Sequence, residues 1–332
     1  MRLSKHINEY MNNRAMDRYA FNTMKHNQTA LNQMVEVIGD MEIDRVTVRH
    51  MDALMNDWHS RGLTAETMRN KVSSVKKFFE WARDREYCRK NPMFGRRVLA
   101  DPPKERHVVP VETFGPLLDS IIEKGATSVK YRDRALTAAH LYTMCRPGEL
   151  LQVRVRDLDF QHREMHVRVT KSKKLDAMPM TDEMVDEMSA WISTYRLAMG
   201  TNLEPEWYLF PPYQSSPGAR KHYAPDPARK LANSHTIIQR CLRTIGWEGY
   251  RLGGHILRHS AATAKAEENM EEGYDGAIRE VQSWLHHSSL QTTERYLSKD
   301  NDRHRRDKRA KTGPMYPSLK QPKKGNIRAV GG

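Results

Sequence analysis

The sequence predicts a mainly α protein with one small antiparallel β-sheet, divided into two domains. Three observations predict it. Residues 1–90 carry apolar side chains at helical spacing. A Pro-containing basic segment, 91–109, then breaks the pattern. Beyond it, helical patterns resume around one pair of short strand-like segments, Met165–Thr170 and Asp176–Met180. A chain of 332 residues has length for about two domains of ordinary size.

The elements follow in order. Met16–Ile38 is amphipathic through Tyr19, Met24, Leu31, Met34, Val35 and Ile38, and Gly39 stops it. Thr47 is placed to cap a helix whose apolar face is Val48, Met51, Leu54, Met55 and Trp58. Thr64 is placed to cap a longer one with Met68, Val72, Val75, Phe79 and Ala82 on one face, and Gly62 suits the turn between them. A small domain of about four helices is expected over 1–90. Its last helix carries Arg69, Lys71, Lys76, Lys77, Arg83 and Arg85, which suit phosphates and equally suit a solvated face. The segment 91–109 holds Pro92, Pro102 and Pro103 with Arg96, Arg97, Lys104 and Arg106, and reads as a basic linker.

A second domain is expected over 110–300. Val111–Lys124 and Lys130–Met144 read as helices. The two strand segments flank a polar tip, Lys171–Leu175, and form a hairpin. Helix returns after Thr181 with Met184, Met188, Trp191, Ile192 and Tyr195. Residues 201–233 read as a Pro-rich loop, and helices follow at 235–245, 257–270, 276–285 and 290–298. Residues 301–332 form a basic tail.

Charge narrows the function. There are 55 Lys and Arg against 41 Asp and Glu, a formal charge of +14. The tail holds ten Lys and Arg against two Asp, and the remaining residues are still net basic without it. A polyanionic partner, nucleic acid first, is expected. No run of 18 apolar residues exists, so no membrane span is expected. The N-terminus lacks the apolar core of a signal peptide. Three distant cysteines, Cys88, Cys145 and Cys241, make no disulfide framework and fit a reducing cytoplasm.

Five short segments carry polar residues that a simple core does not need. Arg146-Pro147-Gly148-Glu149-Leu150 ends an apolar helix; Pro147 fits the first turn of a new helix, and Glu149 can brace the guanidinium. Taken alone, Arg146 also fits a structural ion pair. Lys171 lies at the hairpin tip, where a lysine is usually solvated. His255 and Arg258 are three apart and share a helical face. Leu285-His286-His287-Ser288 and Thr292-Thr293-Glu294-Arg295-Tyr296 complete the set. Two arginines, a lysine, two histidines and a tyrosine suit attack on a phosphodiester. Guanidinium forks neutralise the non-bridging oxygens, a phenolate is a nucleophile, and an ammonium protonates the leaving oxygen. No carboxylate cluster of the two-metal type stands out.

This series resembles the tyrosine recombinases, the group of phage integrases and Xer-type recombinases. Their signature runs Arg, Lys, His-x-x-Arg, His or Trp, Tyr. Here the order is Arg146, Lys171, His255 with Arg258, His287 and Tyr296. Lys171 stands eight residues before Pro179, like the family's turn lysine before its second strand. His287 takes the histidine position of the usual Leu-Gly-His-Ser, with His286 replacing glycine; either histidine can face the phosphate. The stretch from Arg258 to His287 is long and points to an insertion near Glu267–Gly276.

The resemblance covers about 110–300 by motif, and 1–90 resembles the family's core-binding domain in size and helicity. It implies the fold of DNA breaking-rejoining enzymes and a site-specific recombinase working through a 3′-phosphotyrosyl intermediate, with no cofactor and no metal. It also implies double-stranded DNA attachment or core sites, a homotetramer on DNA, and accessory DNA-bending or directionality proteins, all in a bacterial host's cytoplasm or nucleoid. Integration or excision of a mobile element is the first expectation and Xer-type dimer resolution the second. A start directly at the core-binding segment, with no separate arm-binding domain, is the expectation here, and a simple attachment site is expected with it. The rivals are a type IB topoisomerase, a non-catalytic DNA-binding regulator, and a zinc enzyme built on His255 and His259. The last is disfavoured because Arg258 lies between the two histidines and repels a cation.

Overall fold

The computed structural model describes residues 1–101, 108–123, 125, 127–169, 174–215, 223–247, 253–268 and 274–285. The chain divides into two compact units, Met1–Glu105 and Arg106–Gly332.

The first unit is built on four helices: α1 (Leu3–Met16), α2 (Phe21–Ile38), α3 (Val48–Ser60) and α4 (Ala65–Asp84). The Thr64 hydroxyl accepts from the Thr67 amide at 3.3 Å and caps α4. Gly39 ends α2 at φ 81°, a backbone angle that glycine tolerates and other residues avoid. Leu31, Met34, Met51, Leu54, Trp58, Val75, Phe78 and Phe79 meet in one buried core. Each lies on the apolar stripe of its helix, so packing follows from the 3.6-residue period.

The amphipathic stretch from Met16 to Ile38 is not a single helix. Met16 ends α1 and is 80% exposed, Arg18 takes a left-handed turn at φ 57°, and α2 starts at Phe21. Residues 91–98 pack on this unit rather than running free. Asn91 Nδ2 donates to the Lys76 carbonyl at 3.1 Å, Met93 is buried, and Arg96 pairs with Asp52 at 2.7 Å.

The second unit opens with α5 (Phe114–Glu123), α6 (Ser128–Thr143) and the single turn α7 (Pro147–Leu150). A three-stranded antiparallel sheet follows: β1 (Leu158–Asp159), β2 (Glu164–Arg168) and β3 (Leu175–Pro179), in that spatial order. The β2–β3 hairpin runs from Glu164↔Pro179 to Arg168↔Leu175. Met165 and Val167 point into the core and alternate with Glu164, His166 and Arg168, as a half-buried strand requires.

Next comes α8 (Asp182–Met199), capped by the Thr181 hydroxyl. The stretch 201–233, expected to be loop throughout, contains a second hairpin of β4 (Tyr213–Ser215) and β5 (Tyr223–Pro225). Its strands are three residues each, too short to leave a period-2 signal among prolines. Three helices close the described part: α9 (His235–Thr244), α10 (Gly254–Glu268) and α11 (Tyr274–Trp284).

The core of this unit joins α5, α6, α8, α9, α10 and the three-stranded sheet through Leu117, Leu136, Met165, Met184, Trp191, Ile238 and Leu257. Trp191 Nε1 donates to the Leu209 carbonyl at 2.8 Å and ties α8 to the 201–233 stretch. The segment 290–298, expected to be helical, lies outside the described residues, as do most of the polar hairpin tip and the tail. No described helix is long and apolar enough to cross a membrane.

Candidate active site

The site is built where α6, α7 and α10 meet. α6 ends at Thr143, and Met144 caps it in the left-handed conformation at φ 51°. A non-glycine residue held there costs about 1–2 kcal/mol, so tertiary contacts must hold it. They do: the Met144 carbonyl accepts from Arg258 Nη1 at 2.6 Å. The sharp turn sends the chain back through Cys145 to Arg146 and starts α7 at Pro147, the first-turn position where a missing N–H costs nothing.

Arg146 is held by its own turn. Its backbone amide donates to Glu149 Oε2 at 2.9 Å and its Nη1 to Glu149 Oε1 at 3.1 Å. The Glu149 side chain has no exposed surface. A fully buried carboxylate is costly unless paired, so the ion pair fixes the guanidinium. The structural and the functional reading of Arg146 are therefore compatible.

α10 brings two more of the expected residues, His255 and Arg258. Its N-terminus approaches the α6–α7 turn so closely that only glycine fits. A Cβ on Gly254 would lie 2.7 Å from His140 Cε1 and 2.8 Å from Pro147 Cγ. His255, in the first turn of α10, is exposed. Arg258, one turn further, is only 1% exposed. Besides Met144, it reaches the Leu285 carbonyl through Nη2 at 2.7 Å. The shared face expected for His255 and Arg258 thus runs from the surface inward.

Electrostatics report the same convergence. Burial pushes the Cys145 thiol up to about 12, and the thiol also feels Glu149, Arg258 and Arg146. His140 is held down to about 3, first by burial and then by His255 and Arg258. Gly254 against Pro147 and Arg258 on the Met144 carbonyl bring the segments that carry Arg146, His255 and Arg258 together, although 112 residues separate the two arginines in sequence.

The other expected residues, Lys171, His287 and Tyr296, lie outside the described residues. Their described flanks are placed. The Val169 amide donates to the Lys174 carbonyl at 2.9 Å across the ends of the segment that holds Lys171. Leu285, immediately before His286, is tied to Arg258. Two contributors to this geometry carried little sequence signal. Gly254 reads as a loop residue until its neighbours are known, and His140 reads as one polar residue in an apolar helix.

Residues 117–303, more than half of the chain, match the phage integrase family, and residues 7–86 match the phage integrase N-terminal SAM-like domain. The chain belongs to the phage integrase family. This integrase-family chain is 29% identical over 259 residues to a putative integrase/recombinase, y4rF, of Sinorhizobium fredii, covering 77% of the chain and 56% of that protein. It thus spans just over half the length of that relative. It is 22% identical over 295 residues to the tyrosine recombinase XerC of Alcanivorax borkumensis, 89% of each chain.

Among solved structures, a lambda integrase fragment crystallised as a dimer bound to a COC′ core site matches with TM-score 0.63 at 15% identity. That match covers 87% of this chain and 96% of that one. A lambda integrase tetramer bound to a Holliday junction matches with TM-score 0.64 at 14% identity, over 90% of this chain and 77% of that one. The Tn1549 transposon integrase in complex with circular intermediate DNA matches with TM-score 0.62 at 18% identity, over 92% and 99%. This family member therefore has the integrase fold, with a helical N-terminal domain.

Proposed function

We propose that this chain is a site-specific DNA recombinase that integrates or excises a mobile element through a 3′-phosphotyrosyl intermediate. The observation that carries the reading is the meeting of the Arg146 turn with the His255–Arg258 helix. It gathers two guanidinium groups and an exposed imidazole at one place in a basic chain. Such a site suits a phosphodiester, whose charge repels nucleophiles until cations neutralise it.

In the proposed reaction the phenolic oxygen of Tyr296 attacks phosphorus and the bond to the 5′-oxygen breaks. Arg146 and Arg258 hold the non-bridging oxygens. His255 accepts the phenol proton, His287 donates a hydrogen bond to the phosphate, and Lys171 protonates the departing 5′-oxygen. One ester is exchanged for another, so the bond energy is kept and a 5′-hydroxyl reverses the step. No cofactor enters this scheme. The helical domain expected over 1–90 and the catalytic domain expected over 110–300 both bind duplex DNA. Four copies exchange strands pairwise through a four-way junction, as the junction-bound lambda integrase tetramer supports by analogy. The match to XerC along 89% of both chains favours dimer resolution as the second reading.

The test uses a duplex enriched by the full-length protein from a random-sequence pool, then nicked beside the cleavage position to trap the intermediate. Tyr296→Phe binds this duplex and forms no covalent adduct. Arg258→Ala loses cleavage far more than binding. Adduct formation by Tyr296→Phe removes Tyr296 from the mechanism, and equal loss of both activities makes Arg258 a DNA contact only.

A further inference from the structure

His140 lies on α6, six residues before Arg146, in the otherwise apolar run Ala138-Ala139-His140-Leu141. The residue is wholly buried. Its Nε2 is 3.2 Å from the hydroxyl of Ser234, the residue that precedes α9 and is itself buried. Its Nδ1 has no hydrogen-bond partner among the described residues. A buried N–H without an acceptor is the worse of the two possible orphans. The favoured tautomer therefore carries its proton on Nε2 and donates to Ser234, leaving only a lone pair unmatched. Leucine or methionine would fill the same space without desolvating a ring nitrogen. Packing alone is therefore a poor reason for histidine here.

The ring also forms the surface on which α10 rests. A Cβ at Gly254 would meet His140 Cε1 at 2.7 Å and Nε2 at 2.9 Å, and Pro147 Cγ at 2.8 Å. One imidazole, carried by the helix that leads to Arg146, thus lies against both the backbone beside His255 and the residue before α9.

We propose that His140 is a positioning residue: pinned by Ser234, its ring seats the N-terminus of α10 against the Pro147 turn and sets the spacing of Arg146 and His255. The inference rests on the roles proposed above for Arg146, His255 and Arg258. It assigns His140 no contact with DNA.

The experiment uses the full-length protein and the nicked duplex selected from the random pool. Three quantities are read for each variant: Kd, the single-turnover rate of adduct formation at saturating DNA, and the melting temperature. His140→Leu keeps the bulk and loses the donor. His140→Gln restores a donor near the position of Nε2. Ser234→Ala removes the acceptor and leaves the ring. A displacement on the ångström scale slows a positioned reaction by about ten- to a hundredfold. His140→Leu and Ser234→Ala are expected to lower the rate by that much with Kd unchanged, and His140→Gln to recover most of it. Where His140→Leu fails to fold, Ser234→Ala and His140→Gln decide the matter. A rate in Ser234→Ala equal to wild type overturns the inference. So does a glutamine variant no faster than leucine, or a loss that merely follows the folded fraction. Absence of any adduct with the wild-type protein overturns the recombinase reading itself. A wild-type adduct with unaltered variants overturns only the role of His140.

Discussion

Arg258 Nη1 lies 2.6 Å from the carbonyl oxygen of Met144, 114 residues earlier in the chain. With Nη2 on the Leu285 carbonyl, one guanidinium fastens the end of α6 to the end of α11. The side chain proposed to meet the phosphate therefore also holds these two helix ends together. Replacing it by leucine leaves two buried carbonyls short of a donor, each costing about 1–3 kcal/mol. Arg258→Leu is expected to lose stability on that scale in urea unfolding. Arg258→Lys falls between, because a single ammonium cannot fork to both carbonyls.

Glu149 makes a separable contribution. Its carboxylate binds both the backbone and the side chain of Arg146. Glu149→Ala is expected to cost about 1–3 kcal/mol of stability. It also releases the Arg146 guanidinium from its fixed position, so adduct formation at saturating DNA falls more than binding does. Glu149→Gln keeps an acceptor for the Arg146 amide and is milder in both assays. Urea unfolding and single-turnover cleavage check the pair.

His140 gives the acid limb of stability a definite sign. Burial, aided by the charges of His255 and Arg258, holds it down to about 3, against an ordinary 6.5. Between those values the unfolded chain takes a proton that the folded chain refuses. Stability tied to this group is complete above pH 6.5 and is lost as pH falls toward 3. The slope is at most about 1.4 kcal/mol per pH unit. Between pH 7 and pH 5 wild type is expected to lose about 1–2 kcal/mol more than His140→Gln, read by urea unfolding at each pH.

DNA affinity carries the charge prediction. Neutralising six to ten phosphates weakens binding by about 10³–10⁵ between 50 and 200 mM salt. The +14 chain is expected to follow that dependence. Removing residues 301–332, with their ten Lys and Arg, makes the plot of log Kd against log salt shallower. A slope unchanged by truncation assigns those phosphate contacts to the rest of the chain.

Local chemistry was readable at several caps and turns. Thr64 and Thr181 cap their helices, Pro147 opens α7, and Glu149 braces Arg146, all at short range. The rest depends on contacts across the chain. α10 starts at Gly254 rather than 257 because its first turn packs against His140 and Pro147, and no periodicity marks that turn. The break between α1 and α2 follows from Arg18 in a left-handed turn, where no glycine or proline announces it. His140 was invisible for the same reason. Its partners Ser234 and Gly254 lie roughly a hundred residues away, and only folding shows that they share one imidazole. Arg146, His255 and Arg258 stood out by chemical type and order, and their convergence came from tertiary packing alone.

The most direct test maps the covalent link itself. Wild-type protein is trapped on its selected nicked duplex, digested with trypsin, and the DNA-linked peptide is sequenced by mass spectrometry. The link is expected at Tyr296, joined to a 3′-phosphate and leaving a free 5′-hydroxyl. A link at another residue, or to a 5′-phosphate, contradicts the proposed mechanism.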